Sequence, residues 1–216
     1  MDIINQIHNV DAREFTQAVI ARHSIDFIIT DPVYSQIEDY EWLAGEAKRI
    51  LKPDKSVIAF CSDIKMFDCW LVMKKYLTFV KPLYYVVKAK QFSALRGYNI
   101  MTWTTPALWF TNGRGWPHTR TLDTIITGGT PDGNYKWNKN IEAYDRWIED
   151  FTLPDELIFD PFTGSGTVPY VCKQQGRDFI ACEIDTKVYS EAVERVKVVQ
   201  KRIKNITAKQ EELFSE

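Results

Sequence analysis

Two short segments of the chain hold side chains able to do chemistry. The first is Asp31-Pro32-Val33-Tyr34. It directly follows Ile25–Thr30 (IDFIIT), an apolar run of the kind that forms a buried parallel strand. A carboxylate and a proline carbonyl both accept hydrogen bonds, so Asp31 and Pro32 can together hold the N–H groups of a planar exocyclic amine. Tyr34 offers a face on which a flipped base can stack. An Asp-Pro turn with a packed tyrosine is also a common structural turn, and the tetrapeptide alone divides evenly between the two readings. The second segment is Asp160-Pro161-Phe162-Thr163-Gly164-Ser165-Gly166-Thr167, after the short apolar run 157–159. Strand, glycine turn and helix in that order let the backbone pass close to a ligand and offer it free N–H groups. Glu183 lies 23 residues beyond Asp160, at the end of the next apolar run, DFIAC. An acid there commonly takes ribose hydroxyls.

The details of the glycine turn narrow the ligand. The residue three after Gly166 is Pro169, which excludes the G-x-G-x-x-G dinucleotide form, and no G-K-S/T follows to make a phosphate loop. Asp160 beside the turn also opposes a phosphate. An adenosine-bearing cofactor with no phosphate at the turn fits better, which points to S-adenosylmethionine. A bare G-x-G is often only structural, but two loaded turns, each after a buried strand, strengthen one another.

The elements that must position these turns alternate along the chain. Residues 39–51 carry apolar side chains at helical spacing (Tyr40, Leu43, Ala44, Ala47, Ile50, Leu51) until Pro53 stops them. Residues 56–60 read as a strand, 64–76 as a helix and 81–87 as a strand. Residues 112–134, rich in glycine, read as irregular chain. Ile141–Phe151 reads as a helix, 157–159 as a short buried strand, Thr167–Gln175 as a helix and Asp178–Cys182 as a strand. Residues 186–206 read as a long charged helix with Val188, Val193, Val196, Val199 and Ile203 as its apolar stripe. This alternation implies an α/β fold with a mostly parallel sheet. Ligands of such sheets bind beyond the carboxyl ends of strands, where both turns lie.

Composition bounds the function. With 216 residues, 45% of them hydrophobic and 26% charged, the chain has the size and make-up of one soluble domain, and collagen, disordered and low-complexity proteins are excluded. No stretch approaches the roughly 18 apolar residues of a membrane span, and the N-terminus lacks a signal-peptide core, so a cytoplasmic protein with no membrane association is expected. Cys61, Cys69, Cys172 and Cys182 form no C-x-x-C pair, and only three histidines occur. Buried free thiols are expected rather than disulfides or a metal site. The net charge of −2 says nothing by itself, but residues 69–122 contain no Asp or Glu and eight basic residues, leaving −10 on the remainder. The same window holds 11 of the 29 aromatics. Such a segment suits a polyanion with stacking groups, although buried strands share that composition. Both are expected here, with 79–87 a core strand and 88–120 an exposed loop.

IDFIITDPVY, RILKPDKSVIAF and LIFDPFTGSGT…GRDFIACEID together resemble the amino-methyltransferases of DNA, in the permuted group whose D-P-P-Y motif precedes F-x-G-x-G. The resemblance covers roughly residues 7–196. It implies a Rossmann-like methyltransferase fold, a mostly parallel twisted sheet with helices on both faces. It further implies a single domain over 1–216, with a short nucleic-acid-recognition insert at 88–136. Asp31 and Pro32 would bind the target amine and Tyr34 would stack on the base. Asp160, Phe162, Gly164, Ser165 and Gly166 would shape the S-adenosylmethionine pocket, and Glu183 would hold the ribose. Residues 9–12 resemble the family's short G-D segment, making Asp11 a cofactor candidate. Asp11 reads equally well as a helix N-cap for 12–21. D-P-P-Y is linked mainly to adenine N6 and S-P-P-Y to cytosine N4, so Asp31 favours adenine. Two departures stand out. Val33 replaces the second proline, and Trp137-Asn138-Lys139-Asn140 stands where the family has H-P-T-Q-K-P.

The implied reaction is direct methyl transfer to a flipped adenine in double-stranded DNA, needing neither metal nor cysteine nucleophile. Lys88, Lys90, Arg96, Arg114 and Arg120 would contact phosphates and make binding salt-sensitive. So short an insert implies a short recognition site, a homodimer or a partner, as in restriction-modification systems. The competing readings are cytosine-N4 or RNA-adenine methylation and a catalytically degenerate nucleic-acid-binding subunit.

Overall fold

The computed structural model describes residues 3–87, 93–95, 100–114, 122–128 and 141–199. Along the chain these form β1 (Gln6–His8), α1 (Ala12–Val19), β2 (Ile25–Thr30), α2 (Ile37–Ile50), β3 (Leu51–Phe60), α3 (Met66–Met73), β4 (Thr78–Val87), β5 (Ser93–Leu95), β6 (Ile100–Thr102) and β7 (Thr104–Thr111). They continue as β8 (Ile125–Gly128), α4 (Ile141–Phe151), β9 (Leu157–Asp160), α5 (Thr167–Gln175), β10 (Asp178–Cys182) and α6 (Thr186–Lys197). Eight strands make one sheet in the order β1-β10-β9-β2-β3-β7-β4-β8. The first five are mutually parallel, and β7 runs antiparallel to both its neighbours.

Burial on both faces explains why IDFIIT shows no polar alternation. All six residues of β2 are buried, because helices cover each side of the sheet. On one side, Phe27 and Ile29 join Ile58, Trp109 and Ile158 under α4, α5 and α6. On the other, Ile25 and Ile28 join Val57, Leu108 and Phe159 under α1, α2 and α3. The period of two in each strand assigns successive side chains to opposite cores. All four cysteines are buried and free. Among the described residues no helix is long and apolar enough to cross a membrane.

Three expectations need correction. The exposed loop expected over 88–120 fails at β7, whose residues 106–111 are buried between β3 and β4. The run TTPALWFT is acid-free because it is core strand, not because it meets a polyanion. The irregular chain expected over 112–134 contains β8, which pairs parallel with β4. The described part of the last helix ends at Lys197, and 200–206 lie outside the described residues.

One buried charge ties the central strands together at their amino ends. Asp26, only 4% exposed, accepts hydrogen bonds from Lys52 Nζ at 2.8 Å and from the Leu157 amide at 3.1 Å. It thereby links β2 to both β3 and β9. Asp26→Ala leaves the amide and a half-buried ammonium without their acceptor and is expected to lower the unfolding free energy by about 2–3 kcal/mol. Asp26→Asn, which keeps an acceptor for the amide, is expected to lose less. Urea denaturation of both variants checks this, and an undisturbed Ala variant would contradict it.

Candidate active site

From β2 the chain crosses to β3 on one side, and from β9 it crosses to β10 on the other. The crevice of an open α/β sheet forms where strand order reverses in this way. The two loaded turns are therefore neighbours, although 130 residues separate Thr30 from Asp160. The Thr30 hydroxyl donates to Asp160 Oδ1 at 2.6 Å, joining the ends of the two strands. Above them lies a cavity of about 500 Å³. Asp31, Pro32 and Tyr34 line it from the first turn, Asp160, Phe162, Gly164 and Ser165 from the second, and Tyr144 from α4. The structure thus brings together in one lining Asp31, Pro32, Tyr34, Asp160, Phe162, Gly164 and Ser165 of the residues singled out from the sequence. Val33 is 55% exposed, so the absent second proline costs the turn no packing.

The glycine turn is fixed from behind. The Thr163 amide donates to the Cys182 carbonyl at 3.0 Å, and the Gly164 amide to Glu183 Oε2 at 2.9 Å. Glu183 Oε1 in turn accepts from the Asp185 amide at 2.9 Å. Gly164 and Gly166 have φ of +51° and +76°, where a side chain is strained. Their roles differ. A Cβ on Gly166 would come within 3.0 Å of Ala192 Cβ on α6, whereas one on Gly164 would meet nothing within 4 Å. Gly166 permits the close approach of a helix, and Gly164 leaves space open on the cavity side. Buried Arg195, also on α6, donates from Nη1 to the Ser165 carbonyl at 3.0 Å and to the Ser165 and Thr167 hydroxyls at 3.2 Å.

The site is acidic and poorly solvated. Burial pushes the Asp160 carboxyl up to about 7, against the opposing hydrogen bonds from Thr30 and the Phe162 amide, with the nearby Asp31 charge adding to the rise. Burial raises Tyr34 well above the ordinary phenol range, helped by the charge of Asp31 and a hydrogen bond to it. Tyr144 is raised by burial and then by Asp31, Tyr34 and Asp160. Both phenols therefore stay neutral at any working pH. The cavity lining contains acids and no Lys or Arg among the described residues. It suits a cationic or neutral ligand better than a phosphate. The open space at Gly164 and the acids beside it fit the adenosine and sulfonium parts of S-adenosylmethionine. Among the described residues no cluster of three or more His, Cys, Asp or Glu could hold a metal.

Other candidates fall away from the cavity wall. Asp11 caps α1, accepting from the Arg13 amide at 2.8 Å, and is not part of the cavity lining. Arg114 follows β7 and donates its amide to Asp54 Oδ1. β7 runs from Ala107, paired with Phe60 at the carboxyl end of β3, to Thr111, paired with Ser56, so Arg114 beside Asp54 lies on the side of the sheet away from the cavity. Lys88, Lys90, Arg96, Arg120 and residues 137–140 lie outside the described residues. Sequence reading missed Thr30, Tyr144 and Arg195. Only Arg195 left a signal, a cation one residue before Val196 on the inward face of α6. Thr30 and Tyr144 read as ordinary strand and helix positions.

Two measurements check this geometry. Gly166→Ala is expected to cost about 2–4 kcal/mol, adding overpacking against Ala192 to backbone strain. Gly164→Ala should cost the strain alone, about 1–2 kcal/mol. Equal losses in denaturation would contradict the assigned roles. Asp160 titrates higher in the folded protein than in the unfolded chain, where it sits near 3.8. Its contribution to stability is therefore full below about pH 4 and is lost as pH rises through about 7. The ligand-free protein should lose stability over that interval relative to Asp160→Asn, and parallel curves would contradict the shift.

Comparison with known proteins agrees with this geometry. An N6/N4 methyltransferase family model, described as DNA methylase, matches residues 105–194, from β7 through the glycine turn to α6. The Asp31 turn lies outside that match. The chain is 25% identical over 211 residues to "Putative methylase YubD" of Escherichia coli K12, covering 85% of this chain and 87% of that protein. It is 25% identical over 234 residues to "Type II methyltransferase M.HpaI" of Haemophilus parainfluenzae, covering 82% and 69%. Among solved structures, the M1.HpyAVI–SAM complex superposes with a TM-score of 0.74 at 22% identity, covering 89% of this chain and 99% of that one. The cytosine-N4-specific PvuII DNA methyltransferase superposes with a TM-score of 0.76 at 16% identity, covering 88% and 85%. These last two likenesses concern the fold, which is the Rossmann-like fold of methyltransferases. Over residues 105–194, which include the glycine turn, the chain is similar to the N6/N4 DNA methylases, and over most of its length it is similar to the two methylases.

Proposed function

We propose that the protein is an S-adenosylmethionine-dependent DNA methyltransferase that modifies the N6 amine of adenine flipped out of the duplex. One observation carries the reading: an amine-binding turn and a cofactor turn, remote in sequence, open into a single cavity joined by the Thr30–Asp160 hydrogen bond. S-adenosylmethionine, when bound, supplies a methyl group made electrophilic by its sulfonium. Phe162, Gly164 and Ser165 would hold it on the glycine turn, with Glu183, which accepts from the Gly164 amide, at the ribose. Asp31 and the Pro32 carbonyl accept the amine's N–H groups and turn its lone pair toward the methyl group. Asp31 also offsets the positive charge that develops on the nitrogen. Tyr34 stacks on the base, its hydroxyl held by Asp31.

The insert over 88–136 is the proposed DNA-reading segment, narrowed by the loss of β7 and β8 to the sheet. It leaves β4 after Val87 and rejoins β7 at Thr104, both on the cavity edge of the sheet, since Val86 pairs with Thr104 beyond the Ala107–Phe60 pair. Lys88, Lys90, Arg96 and Arg120 keep their proposed phosphate roles. Arg114, at the opposite edge, fits that role poorly. Cytosine N4 is the second reading. The PvuII enzyme, specific for that position, shares this fold.

Nucleoside mass spectrometry after incubation with S-adenosylmethionine and unmethylated duplex DNA tests the proposal. N6-methyladenine is expected, and Asp31→Ala should lower its formation at least about 100-fold while leaving cofactor affinity nearly unchanged. N4-methylcytosine would overturn the base assignment and keep the chemistry. Cofactor binding with no modified base would overturn the proposal.

A further inference from the structure

The cavity has one wall that neither turn supplies. It comes from α4, where Tyr144 is 3% exposed and still lines the cavity beside Asp31, Pro32 and Tyr34. We propose that the Tyr144 hydroxyl donates a hydrogen bond to the ring nitrogen next to the exocyclic amine of the target base, making Tyr144 a specificity-determining contact. This rests on the reading of the cavity as a base-methylating site.

Placement supports it first. The Tyr144 ring is held against Phe60, centroids 4.9 Å apart, in the same core cluster as Trp147 and Ile148. So fixed, the phenol has little freedom and presents its hydroxyl in one place. That place lies within the influence of Asp31 first, then Tyr34, then Asp160. The Tyr34 hydroxyl engages Asp31, and Tyr144 lines the same cavity. A buried tyrosine hydroxyl normally finds a partner, and here the open side is the cavity.

Chemistry supports it second. Asp31 and the Pro32 carbonyl are acceptors, so they read an amine but cannot report on the atom beside it. Adenine and cytosine both carry an acceptor nitrogen next to that amine. Guanine and thymine present an N–H beside a carbonyl at the corresponding edge. A neutral phenol, kept protonated by its burial among acids, is a donor only to the first pair. Asp31 and the Pro32 carbonyl reject the carbonyl that guanine and thymine place at that edge, and the phenol donates to the ring nitrogen beside the amine of the two bases that remain.

The test uses the full-length protein and duplexes carrying either the normal target base or its deaza analogue, in which that ring nitrogen is C–H. The analogue is 1-deazaadenine, or 3-deazacytosine if the unmutated protein yields N4-methylcytosine. On the normal base, Tyr144→Phe should lower kcat/KM about 10- to 100-fold, with S-adenosylmethionine affinity and the unfolding midpoint unchanged. The unmutated protein should lose a similar factor on the deaza base, an effect that owes nothing to folding of a variant. On the deaza base the two proteins should be alike. Equal rates on the normal base, a loss that persists on the deaza base, or a shift confined to cofactor affinity would each overturn the proposal. Absence of any transfer by the unmutated protein would overturn the methyltransferase reading and this inference together. Transfer that ignores residue 144 would overturn this inference alone.

Discussion

The site depends on a hydrogen bond between two buried strand ends. Thr30 closes β2 and Asp160 closes β9, and the hydroxyl of one meets the carboxyl of the other at 2.6 Å. A carboxyl group taken out of water needs such a donor, and even so it is held near neutrality rather than well below it. The bond sets the spacing of the two turns. With it in place, the acceptors that hold an amine and the glycine turn that admits a cofactor face the same space. Both strands are buried on both sides and cannot slip in register without exposing a core face. The chemistry thus inherits its precision from the sheet.

The glycine turn is equally a product of what lies behind it. α6 approaches so closely at Ala192 that a Cβ at 166 would crowd it at 3.0 Å, on a backbone whose positive φ already favours glycine. The same helix sends the Arg195 guanidinium inward to Ser165 and Thr167. Glu183, at the end of β10, holds the Gly164 amide. A loop that must be open toward a ligand is made rigid by ties on its other side, which lowers the entropy lost on binding.

Much of this was legible in the residues. IDFIIT and DFIAC announced buried parallel strands through unbroken apolar runs, and the turns that follow them carried their own chemistry. What stayed hidden was whatever depends on proximity in space. Residues 104–111 are acid-free and aromatic-rich, a composition that a buried strand shares with a nucleic-acid surface, and only strand pairing decides between them. Arg114 looked like part of a basic face until the antiparallel course of β7 carried it to the far edge of the sheet. Tyr144 is one more apolar-face residue of an amphipathic helix, and nothing in its sequence neighbours tells that it lines the cavity. That Asp11 caps α1 became visible only once the Arg13 amide was seen to bond it.

That the two turns serve one reaction is tested most directly by a crystal structure of the protein with S-adenosylmethionine bound. The cofactor should lie on the glycine turn over Gly164, with its methyl group directed at the space between Asp31 and the Pro32 carbonyl. A cofactor bound elsewhere, or bound there with its methyl group turned away from Asp31, would contradict a single shared site.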